Sequence, residues 1–317
     1  MKSNMRKITI SLLLVFTLLL SACGTDNSKT EDNVTGEDKL KIVSSFTIIS
    51  DMTEQIGGDL VEVYNLVPTG TDPHEYEPMP DDIKAATDAD LLFYNGVNLE
   101  GGESGWFWKM VESVGQDNEK IFNLNDGVEP KYLTDEDGRK EEINPHSYLD
   151  PKVGIKMTEN LRDALIEIDP DNQDIYEENA DEYLALLNEI DEKYTESVDS
   201  IPEENRILVT SERAFQYMTE SYGLREAYVW EIDTEKLGTT EQIKSLISVL
   251  DEEQPPVLFL ESNVDSKPLE TVSNESGIPI YEESIYSDEV GKKGDSVDSY
   301  IKLLEHNIDI IKDGLSE

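Results

Sequence analysis

Cysteine and histidine are both scarce in this chain of 317 residues, which holds one cysteine and three histidines. The single cysteine, Cys23, excludes an intrachain disulfide and a metal site built on paired thiolates. The few imidazoles are therefore the side chains to follow in a search for a metal site.

Positive charge is also in short supply. The sequence has 26 Lys and Arg against 70 Asp and Glu, which gives a formal net charge of −44. A charge of this sign repels phosphates, so it excludes nucleic acid as a partner and disfavours contact with acidic lipid. Two interpretations of the acidity stay open. It concentrates cations near the protein, or it keeps the protein soluble, and we favour the second.

The apolar run near the start is short. Residues 8–20 make about 13 positions, whereas a membrane span needs about 20. The run follows Lys2, Arg6 and Lys7, a pattern typical of a secretory signal, so residues 1–22 are predicted to be a signal peptide. Its removal would take the formal charge from −44 to −47, since those three cations are its only charged side chains.

The end of this leader, Leu20-Ser21-Ala22-Cys23, resembles a bacterial lipoprotein lipobox. The resemblance implies cleavage before Cys23 and a lipid on its sulfur, so that the protein is anchored to the membrane without spanning it. A plain secretory leader with an incidental cysteine is the alternative. Residues 23–38 are predicted to be the lipidated N-terminus and a flexible tether, because 24–38 are mostly small or polar.

From residue 39 onward, strand and helix patterns alternate, which predicts an α/β fold with parallel sheets flanked by helices. The strand patterns cover 40–46, 61–67, 91–94, 121–124, 207–210, 227–231, 257–261 and 278–281. The helix patterns cover 48–56, 81–89, 105–113, 152–168, 215–222, 240–250 and 296–314. The acidic stretch 135–142 is predicted to be an exposed loop.

One apolar stripe is longer than the others and predicts an amphipathic helix of about 25 residues, near 37 Å long. Its positions are Tyr176, Ala180, Tyr183, Leu187, Ile190, Tyr194 and Val198. An arm of a coiled coil is the weaker alternative. The domains are then a first lobe at 39–172, a linking helix at 173–200 and a second lobe at 201–317. A binding cleft is expected between the lobes, at the carboxyl ends of the strands.

Two of the three histidines lie in matching short motifs, Asp72-Pro73-His74-Glu75 and Asn144-Pro145-His146-Ser147. A proline fixes its own φ and favours extended structure before it, so each imidazole is expected on a rigid loop. Paired histidines most often bind metal. The third, His306, lies in the last predicted helix and is interpreted as an exposed residue that is not a ligand.

These motifs are part of a wider resemblance that covers nearly the whole chain from Lys39 onward. The sequence resembles the metal-binding receptor lipoproteins of manganese and zinc ABC importers, and is most similar to their manganese branch, whose members have often been called surface adhesins. The motifs are Asp72-Pro73-His74-Glu75-Tyr76-Glu77-Pro78, Asn98-Leu99-Glu100-Gly101-Gly102, Asn144-Pro145-His146 with Asp150-Pro151, Thr210-Ser211-Glu212, Gly238-Thr239-Thr240-Glu241-Gln242-Ile243 and Gly294-Asp295-Ser296.

The resemblance implies two lobes joined by one rigid helix, with four metal ligands between them. Carried over position by position, the ligands are His74 and His146 from the first lobe and Glu212 and Asp288 from the second. Glu212 also follows a strand pattern, where a carboxyl-end loop would present it to the cleft. Asp295 and Glu289 are the competing candidates for the last position.

Two imidazoles and two carboxylates form a mixed nitrogen and oxygen site, which suits Mn²⁺, although Zn²⁺ binds most such sites more tightly. The region 131–142 lacks the histidines often found in zinc-type relatives, and Glu212 stands in place of a third histidine. We therefore predict manganese, with zinc or ferrous iron as alternatives.

The resemblance also implies a function and partners. The protein is expected to be no enzyme but a monomeric, lipid-anchored receptor on the extracytoplasmic face of the membrane, which delivers its metal to an ABC permease and a cytoplasmic ATPase. A metallohydrolase is disfavoured because a catalytic metal keeps one position open for water. A surface adhesin without a transport role is the remaining alternative.

Overall fold

The first sheet has four parallel strands, which alternate with helices along the chain. They are β1 (Leu40–Phe46), β2 (Val61–Val67), β3 (Leu91–Tyr94) and β4 (Ile121–Asn123), arranged in the order β2–β1–β3–β4. The structure is a computed structural model that describes residues 39–134, 140–232 and 238–316. The predicted signal peptide, Cys23 and the tether lie outside these ranges.

Four helices accompany the first sheet: α1 (Thr47–Gly57), α2 (Pro80–Asp88), α3 (Trp106–Val114) and α4 (Pro151–Ile168). Each lies within one or two residues of its predicted position. Helix α1 ends where Gly58 adopts a φ of 55°, a left-handed conformation that favours glycine. Helix α4 begins at Asp150, whose side chain accepts the Lys152 amide N–H over 3.0 Å. We refer to this sheet and these helices as the first lobe.

The prediction of an exposed loop over residues 135–142 is wrong for the second half of that stretch. Lys140–Ile143 forms strand β6, which pairs antiparallel with β5 (Tyr132–Thr134). The charged sequence of β6 lacks the alternation of apolar residues that announces a strand, so its pairing depends on β5 rather than on its own composition. The rest of the predicted loop, residues 135–139, lies outside the described residues.

The long amphipathic helix is present as α5 (Gln173–Ser200), with 28 residues. At 1.5 Å per residue it is about 42 Å long. Its predicted apolar stripe is buried and packs against α4 and, further along, against helix α9 (Tyr300–Leu315). The helix is therefore part of the core of this chain, and no coiled-coil partner is needed to explain its stripe.

The second lobe follows with strands β7 (Ile207–Glu212) and β8 (Arg225–Trp230), which pair in parallel. Its helices before α9 are α6 (Gln216–Tyr222), α7 (Thr240–Glu253) and α8 (Lys267–Ser276). The predicted strands 257–261 and 278–281 are reduced to single parallel bridges, Leu258 with Ile280 and Glu261 with Ile285. The Phe259 amide N–H donates to the Val209 carbonyl over 2.8 Å and so joins this segment to β7.

Helix α7 begins at Thr240, as the sequence predicts, and helix α9 begins at Tyr300 rather than near residue 296. The cap of α7 is formed by Thr239 and Gln242, which exchange side-chain and backbone hydrogen bonds of 2.8 and 3.3 Å. Helix α8 was not predicted, because Leu269 and Val272 are its only buried residues and leave almost no periodic signal.

The apolar core is continuous between the lobes. Along β7, Leu208 belongs to the large core that includes the first sheet, α5 and α9, whereas Ile207 and Val209 belong to a smaller core under α7 and α8. Successive side chains of a strand point to opposite faces of its sheet, so both faces of β7 are covered by apolar core. The close approach of α9 to α4 leaves no room for a side chain at Gly154, because a Cβ there would collide with the Tyr300 hydroxyl. The lobes thus meet in a shared core.

None of the helices within the described ranges is long and apolar enough to cross a membrane.

Candidate metal centre

Four side chains from distant parts of the sequence converge between the two lobes. His74, His146, Glu212 and Asp288 each offer one ligand atom, and these atoms all lie within 4.8 Å of one another. The side chains are between 1% and 7% exposed. We call this group the four-residue cluster. The structure therefore brings together all four residues that the sequence analysis selected as ligands.

His74 is held by the motif that contains it. The Asp72 carboxylate accepts the His74 amide N–H over 2.7 Å, which closes a local turn around Pro73. The Pro73 carbonyl accepts the Trp106 indole N–H over 2.8 Å, so helix α3 fixes the same turn from outside. The imidazole Nε2 then lies 3.8 Å from Asp288 Oδ1.

His146 is held in the same way by the second motif. The Asn144 side-chain oxygen accepts the His146 amide N–H over 3.1 Å and also lies 2.9 Å from the ring Nδ1. Because an amide oxygen only accepts, this contact assigns the proton to Nδ1 and leaves the Nε2 lone pair facing the cluster. Asn144 Nδ2 donates to the Arg213 carbonyl over 2.8 Å, which ties this turn to the second lobe.

Glu212 is the last residue of β7, and its side chain is 1% exposed. A second buried carboxylate positions its backbone, because Glu261 accepts the amide N–H groups of Ser211 and Glu212 over 3.1 and 2.8 Å. Burial raises the pKa of Glu261 to about 7, although these two N–H groups oppose the shift. Glu212 Oε1 lies 3.8 Å from His146 Nε2.

Asp288 makes the closest approach to both histidines. Its Oδ1 lies 3.1 Å from His146 Nε2 and accepts the Tyr148 hydroxyl over 3.0 Å. Its Oδ2 faces the other way and accepts the Asn263 amide over 2.7 Å. The two oxygens of one carboxylate thus have different surroundings.

The competing residues have other partners. Glu289 is buried next to Asp288, but its carboxylate accepts the Gly70 amide N–H of the first lobe. Asp295 is exposed and accepts the Lys292 amide N–H over 2.9 Å. His306 lies in α9, away from the cluster. It is half-buried rather than exposed as predicted, because its Nε2 lies 2.9 Å from the Ser284 carbonyl and its ring packs against Tyr286.

The two imidazoles differ in pKa. Burial lowers the pKa of His74, but the carboxylates of Asp288 and Glu212 outweigh it and raise the pKa to about 9. At His146 burial prevails and lowers the pKa below the usual 6.5. Burial raises the pKa of Asp288, yet the two imidazoles outweigh it and hold that pKa well below its usual range. At neutral pH His74 is therefore protonated beside the ionised carboxylate of Asp288.

This arrangement fits a divalent cation. Among the described residues, neither His74 Nε2 nor His146 Nε2 makes a hydrogen bond of acceptable geometry, although both atoms are buried and lie 3.8 and 3.1 Å from Asp288 Oδ1. Buried polar atoms without hydrogen bonds are rare in proteins. Two imidazole nitrogens and two carboxylates are the ligands of a mixed nitrogen and oxygen metal site.

Fold and cluster together define the class of periplasmic metal-binding proteins. The Mn-bound periplasmic metal-binding protein from Candidatus Liberibacter asiaticus superposes with a TM-score of 0.77 and is 28% identical, covering 87% of this chain and 100% of that chain. Residues 42–314 match the family described as ZnuA, zinc-uptake complex component A, periplasmic. The chain belongs to this family, which confirms the resemblance seen in the sequence.

Individual relatives match over almost the entire chain. The iron ABC transporter substrate-binding lipoprotein MtsA of Streptococcus pyogenes serotype M1 is 42% identical over 318 aligned positions, covering 100% of both chains. The manganese ABC transporter substrate-binding lipoprotein PsaA of Streptococcus mitis is 40% identical over 315 positions, covering 99% of this chain and 100% of the relative. The two relatives are named for different metals, iron and manganese, so they do not decide which ion this chain binds.

Sequence reasoning missed the residues that surround the cluster. Tyr148, Glu261 and Asn263 were not singled out, although each contacts Glu212 or Asp288. Glu261 carried a partial signal, as a carboxylate at the end of a predicted strand. Tyr148 and Asn263 carried none, because their contacts with Asp288 join positions 140 and 25 residues apart.

Proposed function

We propose that this protein is an extracytoplasmic receptor that binds one divalent transition metal ion between its two lobes and delivers it to an ABC importer. His74 Nε2, His146 Nε2, Glu212 and Asp288 are the proposed ligands. The observation that carries the proposal is the pair of buried Nε2 atoms that make no hydrogen bond of acceptable geometry among the described residues, next to two carboxylates. Membership of the zinc-uptake component A family supports the same function.

Manganese is the ion we propose. Two carboxylates supply oxygen ligands, and Mn²⁺ prefers oxygen ligands to thiolates or to a shell made only of imidazoles. The relative named as a manganese receptor is 40% identical, and the one named as an iron receptor is 42% identical. Iron is therefore a second candidate, supported by that relative. Zinc is a third, because Zn²⁺ binds most sites of this type more tightly than Mn²⁺ does.

The proposed position in the cell follows from the start of the sequence and from the relatives. Lipid attached to Cys23 would hold the protein at the outer face of the membrane, and residues 24–38 would give it reach. Both relatives are named as substrate-binding lipoproteins of ABC transporters. We propose a permease and a cytoplasmic ATPase as partners, and a monomeric receptor with a lobe on each side of its ion.

A transport role also agrees better with the cluster than catalysis does. Four protein side chains converge on one point, which is the arrangement of a closed shell, whereas a catalytic metal keeps one position for water or substrate. Binding replaces the proton on His74 and neutralises carboxylate charge that is otherwise buried. We propose that the ion thereby holds the second lobe more firmly against the first.

The test is the metal content of the protein purified without added metal, measured by plasma mass spectrometry. Competition among Mn²⁺, Fe²⁺ and Zn²⁺ against a chelator of known affinity would follow. We expect one manganese ion per chain. One iron or zinc ion per chain would overturn the choice of metal, and failure to bind any of the three ions in stoichiometric amount would overturn the receptor function.

A further inference from the structure

The two oxygens of Asp288 have separate partners. Oδ1 points towards both imidazoles and accepts the Tyr148 hydroxyl. Oδ2 accepts Asn263 Nδ2 over 2.7 Å and lies 2.9 Å from the Ser287 hydroxyl. The Ser287 hydroxyl has one proton and also lies 3.0 Å from Asn263 Oδ1, so Asn263 is the partner that always donates to Oδ2.

Asn263 differs from the other partners of the cluster in its exposure. Ser287 is fully buried and Tyr148 belongs to the shared core, whereas Asn263 is exposed in the turn after Glu261. The same short turn serves both carboxylates of the cluster, since Glu261 accepts the Glu212 amide N–H while Asn263 donates to Asp288. The side chain of Asn263 is therefore a contact with a buried ligand that can be changed without disturbing the core.

We propose that Asn263 determines metal selectivity by restricting Asp288 to one ligand oxygen. This inference rests on the proposed function, because it takes Asp288 as a ligand. The Asn263 hydrogen bond holds the carboxylate in the orientation that turns Oδ1 towards the imidazoles and Oδ2 towards Asn263. Without it, the Ser287 hydroxyl is the remaining partner of Oδ2, and the carboxylate can rotate until both oxygens reach the ion.

The number of Asp288 oxygens that bind the ion affects the affinities for Zn²⁺ and Mn²⁺ differently. Zn²⁺ is satisfied by four ligands in a tetrahedral arrangement, so a single oxygen from Asp288 completes its shell. Mn²⁺ favours oxygen-rich shells with more ligands and gains from a second oxygen. The Asn263 hydrogen bond consequently lowers the affinity for manganese relative to zinc. Residues outside the first shell are known to change metal affinity strongly through such contacts.

The test compares Asn263→Ala with the unaltered full chain, using chelator competition to measure the dissociation constants of Mn²⁺ and Zn²⁺. Loss of one hydrogen bond to a charged group corresponds to about a tenfold change in an equilibrium constant. We therefore expect the ratio of zinc to manganese affinity to fall about tenfold. The matched control is Asn188→Ala, an exposed asparagine of α5 whose amide contacts only its own helix, which should leave the ratio unchanged.

A second measurement reports the coordination itself. Manganese X-ray absorption should show one more oxygen in the first shell of the Asn263→Ala variant than in the unaltered protein. Equal changes in both affinities, or no change in the ratio and in the oxygen count, would overturn the proposal for Asn263. If the unaltered protein binds neither ion stoichiometrically, the proposed function itself fails, so the two failures are distinguishable.

Discussion

The Tyr148 hydroxyl donates a hydrogen bond to Asp288 Oδ1 over 3.0 Å, and this contact joins the first lobe to the second. Both side chains are buried, and the Tyr148 carbonyl in turn accepts the Tyr300 hydroxyl of α9. The carboxylate of one lobe is therefore oriented by a residue of the other before an ion arrives. Preorganisation of this kind reduces the cost of assembling the site.

Tyr148→Phe removes this hydrogen bond and keeps the ring. Because Asp288 Oδ1 then loses a partner that orients it, we expect the metal affinity to fall about tenfold, the usual effect of one hydrogen bond to a charged group. Chelator competition measures the change. The matched control is Tyr183→Phe, since the Tyr183 hydroxyl is buried without a partner among the described residues and its loss should not weaken metal binding. Equal affinities in the two variants would contradict the role of Tyr148.

Asn144→Ala tests the orientation of His146. Its side-chain oxygen fixes the proton on Nδ1, so without it the imidazole loses its preferred tautomer and angle. We expect metal affinity to fall about 10- to 100-fold, as is usual for partners of a histidine ligand. Asn160→Ala is the control, because Asn160 donates to the backbone carbonyls of Leu124 and Asp126, as Asn144 does to that of Arg213, but has no hydrogen bond to the cluster. An Asn144 variant with unchanged affinity would show that the core alone orients the ring.

Metal binding should depend on pH through His74. Its pKa is raised to about 9, so the metal-free protein holds a proton there that the ion must displace. Affinity should rise about tenfold per pH unit between pH 7 and 8.5 and level off above 9, because the proton is then already lost. Calorimetry at pH 7.5 in buffers of different ionisation enthalpy should show about one proton released per ion. A flat affinity without proton release would be the contrary result.

The same proton affects the stability of the metal-free protein. A pKa raised on folding stabilises the folded state fully below the unfolded value of about 6.5, and the gain is lost as pH rises through 9. Because of His74, the free energy of unfolding of the metal-free protein should therefore be lower at pH 9 than at pH 7. In His74→Ala the difference between the two free energies should be smaller.

Two buried carboxylates hold the loops that lead to the cluster. Glu261 accepts the amide N–H groups of Ser211 and Glu212, and Glu100 accepts those of Asn95 and Gly96 over 2.7 and 3.1 Å. Glutamine at either position would set an NH₂ group against a backbone N–H. We expect Glu100→Gln and Glu261→Gln each to lower the free energy of unfolding by about 1–3 kcal/mol in urea denaturation.

The exposed substitution Glu182→Gln on α5 is the control for these variants. It changes the net charge by the same amount without touching a buried hydrogen bond, so the expected effect on unfolding is within about 0.5 kcal/mol. Stabilities of Glu100→Gln and Glu261→Gln that match this control would contradict a structural role for the buried carboxylates.

Features with a local signature were predictable from the sequence. The stripe from Tyr176 to Val198 predicted α5, because a buried helix face repeats every three to four residues. The prolines at 73 and 145 predicted rigid turns before His74 and His146, and the structure shows that an Asx side chain closes each turn. Local rules were sufficient here because the residue pattern that marks each feature lies within one short stretch of the sequence.

Features that depend on distant contacts were not predictable in this way. Glu212 and Asp288 could be chosen among 70 acidic residues only through the family resemblance. The charged residues of strand β6 predict a loop, because they gain their extended conformation from pairing with β5. The contact of Tyr148 with Asp288 exists only once the two lobes have met, and that of Asn263 with Asp288 joins two turns of the second lobe that lie 25 residues apart.

Glu212→Ala gives the sharpest test of the proposed metal site, with manganese binding compared with that of the unaltered protein by equilibrium dialysis at micromolar free metal. Glu212 is buried in the cluster, and its removal deletes one of two proposed oxygen ligands. The far-ultraviolet circular dichroism of the variant provides the check that it is folded. We expect one bound ion per chain for the unaltered protein and almost none for the folded variant. A folded Glu212→Ala protein that binds manganese with full affinity would contradict this expectation.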